Sequence, residues 1–232
     1  INININQNAV ANGFTYNPTT GVYTYKPQNV KGNWYGNIGL YDTFPLDNKN
    51  NFTLVNAIVY SYNHNVDFTG VTGQTESMLS KVNNHWLEDN LSLNYQKGGL
   101  TCSLVGEMKW RYANSRRENF STIRTLDFNY GMLGSYKFEF GLETGMDLKM
   151  FSRRGYSDPL INANDLICNV YISKSFLKGK LAAKLEGYDI FHQLKSISYE
   201  INGQGKTETR FNAIPNYLML HLIYKMNISG KK

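Results

Sequence analysis

Phe138–Met150 reads FEFGLETGMDLKM, and the reading of the whole chain turns on it. Phe138, Phe140, Leu142, Thr144, Met146, Leu148 and Met150 hold the even positions, and Glu139, Gly141, Glu143, Gly145, Asp147 and Lys149 the odd ones. A β-strand sends successive side chains to opposite faces, so this spacing makes one face oily and the other charged. On a helix both sets would scatter around the circumference. Strands of soluble proteins run about five or six residues. This alternation persists for roughly a dozen, close to the 9–11 residues a tilted strand needs to cross a bilayer. Repetition elsewhere in the chain decides whether such an oily face meets lipid or a second sheet.

It does repeat. Upstream, Thr122–Leu133 places Leu126, Phe128, Tyr130 and Met132 on one face, with GSYK (Gly134–Lys137) as the turn before the deciding stretch. Leu100–Tyr112 sets Leu100, Cys102, Leu104, Met108, Trp110 and Tyr112 against Thr101, Ser103, Glu107, Lys109 and Arg111. His85–Gln96, Phe52–His64 (with Asn56 as an exception) and Trp34–Leu46 alternate in the same way. Ile1–Ile5 reads as the end of a strand, Gly13–Gly21 as a turn-rich loop and Val22–Val30 as a strand extension interrupted by Pro27. Downstream, Leu166–Phe176, Leu181–Phe191 and Tyr217–Ile228 alternate again, and a hairpin is expected with its tip at Asn202–Gly205.

About ten strands result, and their joins alternate too. Tight turns fall at 46–51, 97–99, 134–137 and 178–180, and long polar loops at 65–84, 113–121, 151–163 and 194–210. Short turns on one rim and long loops on the other, with Trp34, Tyr62, Trp110, Tyr112 and Tyr224 near strand ends, predict an all-β transmembrane antiparallel β-barrel. The 232 residues hold no apolar run long enough for a membrane helix, and a mean hydropathy of −0.43 agrees with strands that give half their positions to a polar lumen. The net charge of +6 is spread along the chain, with no basic block of the kind that binds nucleic acid. Cys102 and Cys168 are expected as free thiols, and no residues have metal-ligand or cofactor-binding spacing. Ile1 opens directly on INININ, as expected of a processed chain or a piece of a longer one.

Three runs carry a more specific likeness: SRRGYSD (Ser152–Asp158), SKSFLKGKLAAKLEGYDIFHQ (Ser173–Gln193) and TETRFNAIPNYLMLHLIYKMNI (Thr207–Ile228). With PLDNKNNFTL (Pro45–Leu54) and RENFSTIRTLDFNYG (Arg117–Gly131), they make the chain from about Asn29 onward resemble the C-terminal barrel of TonB-dependent receptor-like outer-membrane proteins of Bacteroidetes. The resemblance implies part of a 22-stranded outer-membrane barrel filled by an N-terminal plug, importing a large nutrient or chelate. The partners it implies are outer-membrane lipid, the remainder of the barrel and plug, TonB through an N-terminal part outside this sequence, and a surface lipoprotein. Against that pattern the stretch in hand is expected to hold neither plug nor TonB box and fewer than half of the strands. A self-contained ten-stranded porin or structural barrel is the alternative.

Glu107, Lys109, Arg111, Glu143, Asp147, Lys149, Lys184 and Glu186 alternate away from the oily face and are expected to line the lumen, touching plug or solute or pairing across strands. Arg116, Arg117, Arg153 and Arg154 are expected in extracellular loops, as part of a solvated rim or as ligands for acidic groups such as lipopolysaccharide phosphates. An outer-membrane hydrolase would need a histidine beside a carboxylate, and the neighbours are His64 with Asp67, His85 with Asp89, and His192 with Asp189. Adjacent strand residues face opposite ways, so no catalytic role is expected. The S-x-x-K match at Ser175–Lys178 lacks its helical setting, and the N-x-[ST] matches at Asn51, Asn90, Asn119 and Asn227 are chance hits in an Asn-rich chain.

Overall fold

The computed structural model describes residues 1–70, 74–118, 120–157, 159, 161–194, 197–201, 206–211, 214 and 216–226. Among these residues the chain is all-β. In chain order the strands are β1 (Asn2–Asn6), β2 (Ala9–Asn17), β3 (Val22–Val30), β4 (Asn33–Pro45), β5 (Phe52–Thr69), β6 (Met78–Lys97) and β7 (Leu100–Ser115). They continue as β8 (Ile123–Lys137), β9 (Leu142–Arg154), β10 (Asn164–Phe176), β11 (Leu181–Tyr188), β12 (Ile197–Ile201), β13 (Lys206–Arg210) and β14 (Tyr217–Tyr224). Ten of them form one antiparallel sheet in the order β1-β4-β5-β6-β7-β8-β9-β10-β11-β14, and two hairpins, β2–β3 and β12–β13, stand apart from it. The sheet is open, with β1 and β14 as its edges.

The strand alternation holds, and the boundaries differ in three informative places. Phe138–Gly141, the opening of the deciding stretch, is a turn and not a strand. Gly141, at φ +80°, lets its N–H reach the Phe138 carbonyl at 3.0 Å while the Phe138 N–H donates to the Leu142 carbonyl at 2.8 Å. Residues 134–137, expected as the turn, instead finish β8 opposite Leu100–Cys102. The aromatic alternation runs on through the turn because Tyr136, Phe138 and Phe140 pack ring to ring at 4.7 and 5.3 Å.

The second difference is the connection expected over 65–84. There β5 runs on to Thr69 and β6 begins at Met78, with Asn65 opposite Val82 and Asp67 opposite Ser80. The third is at 13–17, read as loop, where β2 pairs residue for residue with β3 from Ala9↔Val30 to Asn17↔Val22. This hairpin packs Ala11 and Val30 against Val66, with Ala9 and Phe68 beside them. Asn33 ties it down: its Oδ1 accepts the Val66 N–H at 2.8 Å and its Nδ2 donates to the Val66 carbonyl at 3.1 Å. The β12–β13 hairpin matches the expected one, although its tip at 202–205 lies outside the described residues.

The four short joins all lie on one rim, at 46–51, 98–99, 138–141 and 177–180. The long ones lie on the other. At the first short join the Asp47 carboxylate closes the turn by accepting the Phe52 N–H and the Asn51 side-chain amide, both at 2.8 Å. Those bonds favour the charged form and hold its pKa below the ordinary carboxylate value.

Candidate functional site

Residues directly opposite each other on neighbouring strands point to the same side of a sheet, so the pairing register sorts every side chain onto a face. One face carries the row Phe44–Leu54–Leu93–Leu104–Met132–Leu148–Cys168, and a parallel row runs Leu40–Ile58–Asp89–Met108–Phe128. In a water-soluble sheet protein such a face would be covered by a second layer. Here most of it is bare, Cys168 being buried: Leu40 is 59% exposed, Leu104 54% and Leu220 64%. The opposite, hydrophilic face is the more enclosed one, with Asn84, Thr125 and Asp165 each buried.

Aromatic rings frame the oily face in two belts. Towards the long-loop rim, Trp34 meets Tyr62 at 4.5 Å, Tyr62 meets His85 at 4.8 Å, and His85 meets Tyr112 at 5.6 Å, with Trp110 stacked on Tyr112. Towards the short-turn rim, Phe52 meets Tyr95 at 4.5 Å, and Phe44, Tyr136 and Phe176 each stand near the short-turn end of their own strands. Trp34 and Phe44 lie about ten residues apart on β4, as do Phe52 and Tyr62 on β5. At ~3.3 Å per residue and a tilt of about 40° that spacing spans about 25 Å, the height of the apolar band on transmembrane barrels.

All eight residues expected on the lumen side share the hydrophilic face. Glu88, Lys109, Asp127 and Arg153 stand opposite one another in that order across β6, β7, β8 and β9, so charges of alternating sign run along one row. Glu107 accepts from Asn129 at 3.2 Å in the next row, and Arg111 sits between Trp86 and Thr125 in the row on the other side. Arg153 and Arg154, expected in a loop, instead close strand β9. Arg153 Nη1 pairs with the buried Asp165 carboxylate at 2.8 Å, and Arg154 donates to Asn164 at 2.8 Å with its guanidinium 5.6 Å from the Phe128 ring. Arg116 and Arg117 do lie in the β7–β8 loop.

A second cluster fills the short-turn half of this face. It surrounds a cavity of about 330 Å³ bounded by Thr101, Ser103, Asp147, Asn169, Lys184 and Glu186. Lys184 Nζ lies 2.5 Å from Glu186 Oε1 and 4.5 Å from the Tyr171 ring centre. Glu186 Oε2 accepts the Tyr188 hydroxyl at 2.9 Å, with His221 Nε2 at 2.7 Å. The Tyr171 hydroxyl donates to Glu143 at 2.7 Å, and Lys149 pairs with Asp147 at 3.2 Å. Tyr171 can lie flat only because its strand partner is Gly145: a Cβ there would come within 2.3 Å of the ring. The charged side chains of this cluster are therefore all bonded within it.

The long β9–β10 connection is anchored to the same face. The Tyr156 hydroxyl donates to both Asp127 carboxylate oxygens at 2.7 and 2.8 Å, Asn162 bonds the Tyr156 backbone in both directions, and Ile161 is fully buried. None of the histidine–carboxylate neighbours forms a pair. His64 Nδ1 bonds Asn83 at 2.7 Å, His85 Nδ1 bonds Tyr60 at 2.8 Å, and the His192 backbone N–H closes a turn onto the Asp189 carbonyl. Cys102 and Cys168 are free.

Sequence reading missed one polar group on the oily face. Asp42 stands opposite Asn56, whose side chain donates to Asp89 at 2.8 Å. Asn56 breaks the alternation visibly, but Asp42 and Asp89 each interrupt an otherwise apolar series only once. The chain matches no known protein family, no curated protein and no solved structure.

Proposed function

We propose that the chain is a wall segment of an outer-membrane β-barrel, belonging to a TonB-dependent receptor-like transporter that takes up a large nutrient or chelate. The observation that carries this is the inversion of the sheet: its oily face is largely bare between two aromatic belts, while most of the charges between the belts are gathered on the enclosed face. Lipid tails accept such a face and water does not. The enclosed face then lines an aqueous path, its alternating charges facing solute, plug or one another. The open edges favour a wider wall over a closed ten-stranded porin, because an unpaired strand edge is not tolerated in hydrocarbon.

Planar-bilayer recording together with uptake in whole cells tests the reading. A receptor whose barrel is filled by its plug conducts no steady current, and its uptake stops when TonB is deleted. Steady ohmic conductance of the purified protein with TonB absent would replace the receptor by a porin. Turnover of a peptide or lipid substrate that is lost in His64 or His192 variants would replace both by a hydrolase.

A further inference from the structure

We infer that the lipid-facing side of this wall carries a site for the phosphate-bearing headgroup of a membrane lipid, between the upper ends of β5 and β6 and the β7–β8 loop. The inference rests on the membrane reading above. A cavity of about 470 Å³ lies there, lined by His64, Met78, Leu79, Lys81, Arg116 and Arg117. By register four of its lining residues (His64, Leu79, Lys81 and Asn83) point to the lipid-facing side, while Met78, paired with Thr69, points to the other. The cavity therefore straddles the strand ends and opens on the lipid-facing side past Leu79 and Lys81. His64 stands opposite Asn83, Val66 opposite Lys81 and Phe68 opposite Leu79, all on the face that carries Tyr62 and His85 below them.

Its height suits a headgroup. Lys81 is four residues beyond His85 of the upper aromatic belt, about 13 Å along the strand and about 10 Å along the membrane normal at a tilt of about 40°. Aromatic belts sit at the level where acyl chains give way to headgroups, so Lys81 stands among or just above the phosphates. A layer of hydrogen bonds marks the same transition. Asn83 Oδ1 takes bonds from Tyr62 and His64 at 2.7 Å each, Asn83 donates to Asn114 at 3.1 Å, and Asn114 donates to Tyr112 at 3.2 Å.

The chemistry is mixed in the way a lipid is. Lys81, Arg116 and Arg117 bring three cations against a single carboxylate, Glu118, among the described lining residues. Arg117 is held in place by a 2.8 Å bond to Thr69 Oγ1 and by the Phe120 ring 5.4 Å from its guanidinium. Leu79 is exposed beside these cations on the lipid-facing side, offering an apolar wall. Guanidinium groups bind phosphate oxygens through paired, charge-assisted hydrogen bonds. A soluble anion would use only the charged half of this cavity. A phosphorylated lipid uses both halves, and it alone is already confined to this side of the wall.

Native mass spectrometry of the detergent-purified protein tests the site, with dioleoyl phosphatidic acid, dioleoyl phosphatidylcholine and inorganic phosphate as probes. Phosphatidic acid is expected to bind about tenfold tighter than phosphatidylcholine, and K81Q/R116Q/R117Q to lose about that factor. K137Q/K180Q, on the short-turn rim, is expected to bind as the parent does. Should the triple variant misfold by circular dichroism, R116K/R117K keeps the charge, loses the paired geometry and is expected to show an intermediate loss. Equal affinity for the two lipids, or a phosphatidic acid affinity unmoved by these substitutions, would overturn the inference. Displacement by millimolar inorganic phosphate would overturn the lipid as its ligand. A spin label at Leu104→Cys in bilayers separates the two levels: a water-exposed label sinks the membrane reading itself, whereas a lipid-exposed label with no headgroup preference sinks this site alone.

Discussion

Replacing Leu40 by Arg turns the membrane reading into a measurable free energy. Leu40 projects from the oily face of β4 opposite Ile58, midway between the aromatic belts at Trp34 and Phe44, and more than half of its surface is free. If that face met water, the change would be an ordinary surface substitution, worth within about 0.5 kcal/mol. If it meets hydrocarbon at mid-height, an arginine costs about 2–4 kcal/mol. That is a drop of roughly 30-fold to several hundred-fold in the ratio of folded to unfolded protein, since each ~1.4 kcal/mol is a factor of ten. The assay is reversible urea unfolding of the protein inserted into phospholipid vesicles, followed by tryptophan fluorescence. Asn37→Arg is the control, because Asn37 lies on the same strand but faces the hydrophilic side opposite Ser61. Its expected change is below about 1 kcal/mol, the worth of the 2.8 Å bond that Asn37 donates to the Tyr35 hydroxyl. Equal small losses for both variants, or a Leu40→Arg protein that stays folded and monomeric without lipid, would refute the reasoning.

The three tryptophans give an independent readout, since Trp34 and Trp110 sit on the oily face and Trp86 on the other. In single-tryptophan variants, lipids with brominated chains should quench Trp34 and Trp110 strongly, while aqueous iodide should reach only Trp86; the converse pattern would reverse the faces. Asp47 predicts an acid effect. Its folded-state pKa is lowered, so its contribution is present above the unfolded carboxylate value near 4 and is lost as the pH falls through the lower folded value. Stability should therefore fall less on acidification in Asp47→Ala than in the parent, and parallel curves would discount the turn's bonds. If the oily face meets lipid, Asp89→Asn should stabilise the vesicle-inserted protein by about 1 kcal/mol, because it removes a charge from that face while an oxygen still accepts from Asn56; a loss would mean that the carboxylate serves a partner there. Gly145→Ala should displace the Tyr171 ring from Glu143 and cost about 1–3 kcal/mol, which the same unfolding assay reads.

Sequence alone carried the parts of the fold where both faces of a strand have a fixed chemical task. Between the belts, oil and water each claim every second residue, so Leu100–Tyr112 is legible without any structure. Above the belts neither face needs to be apolar. Asn65, Asp67, Ser80 and Lys81 then pair as strand without alternating, which is why the upper halves of β5 and β6 read as loop. Phe138 and Phe140 mislead in the opposite sense: an aromatic belt beside a tight turn continues the alternation past the strand's end. The eight charges on the hydrophilic face follow from parity alone. The partners of charges on this face do not, since only register can place His221 beside Glu186, or Asp165 beside an Arg153 that was expected in a loop. Lys81 could not be joined to Arg116 and Arg117 for the same reason.

The edges bear on what the wall belongs to. In β14, Leu218, Leu220 and Leu222 are 76%, 64% and 69% exposed, so this edge strand lies within the oily band and not above it. Its inner side pairs with β11 along all of Tyr217–Tyr224, and its outer side pairs with nothing among the described residues. In an antiparallel ladder alternate residues turn both backbone groups outward, which leaves roughly eight polar groups on this edge. In hydrocarbon each costs several kcal/mol, and together they exceed the roughly 5–15 kcal/mol that holds a whole domain folded. The exposed oily face calls for lipid, while the unpaired edge forbids it. On the membrane reading both are met once the outer side of β14 is paired, either by further strands of a wider wall, whichever polypeptide supplies them, or by β1 at the opposite edge of the same sheet.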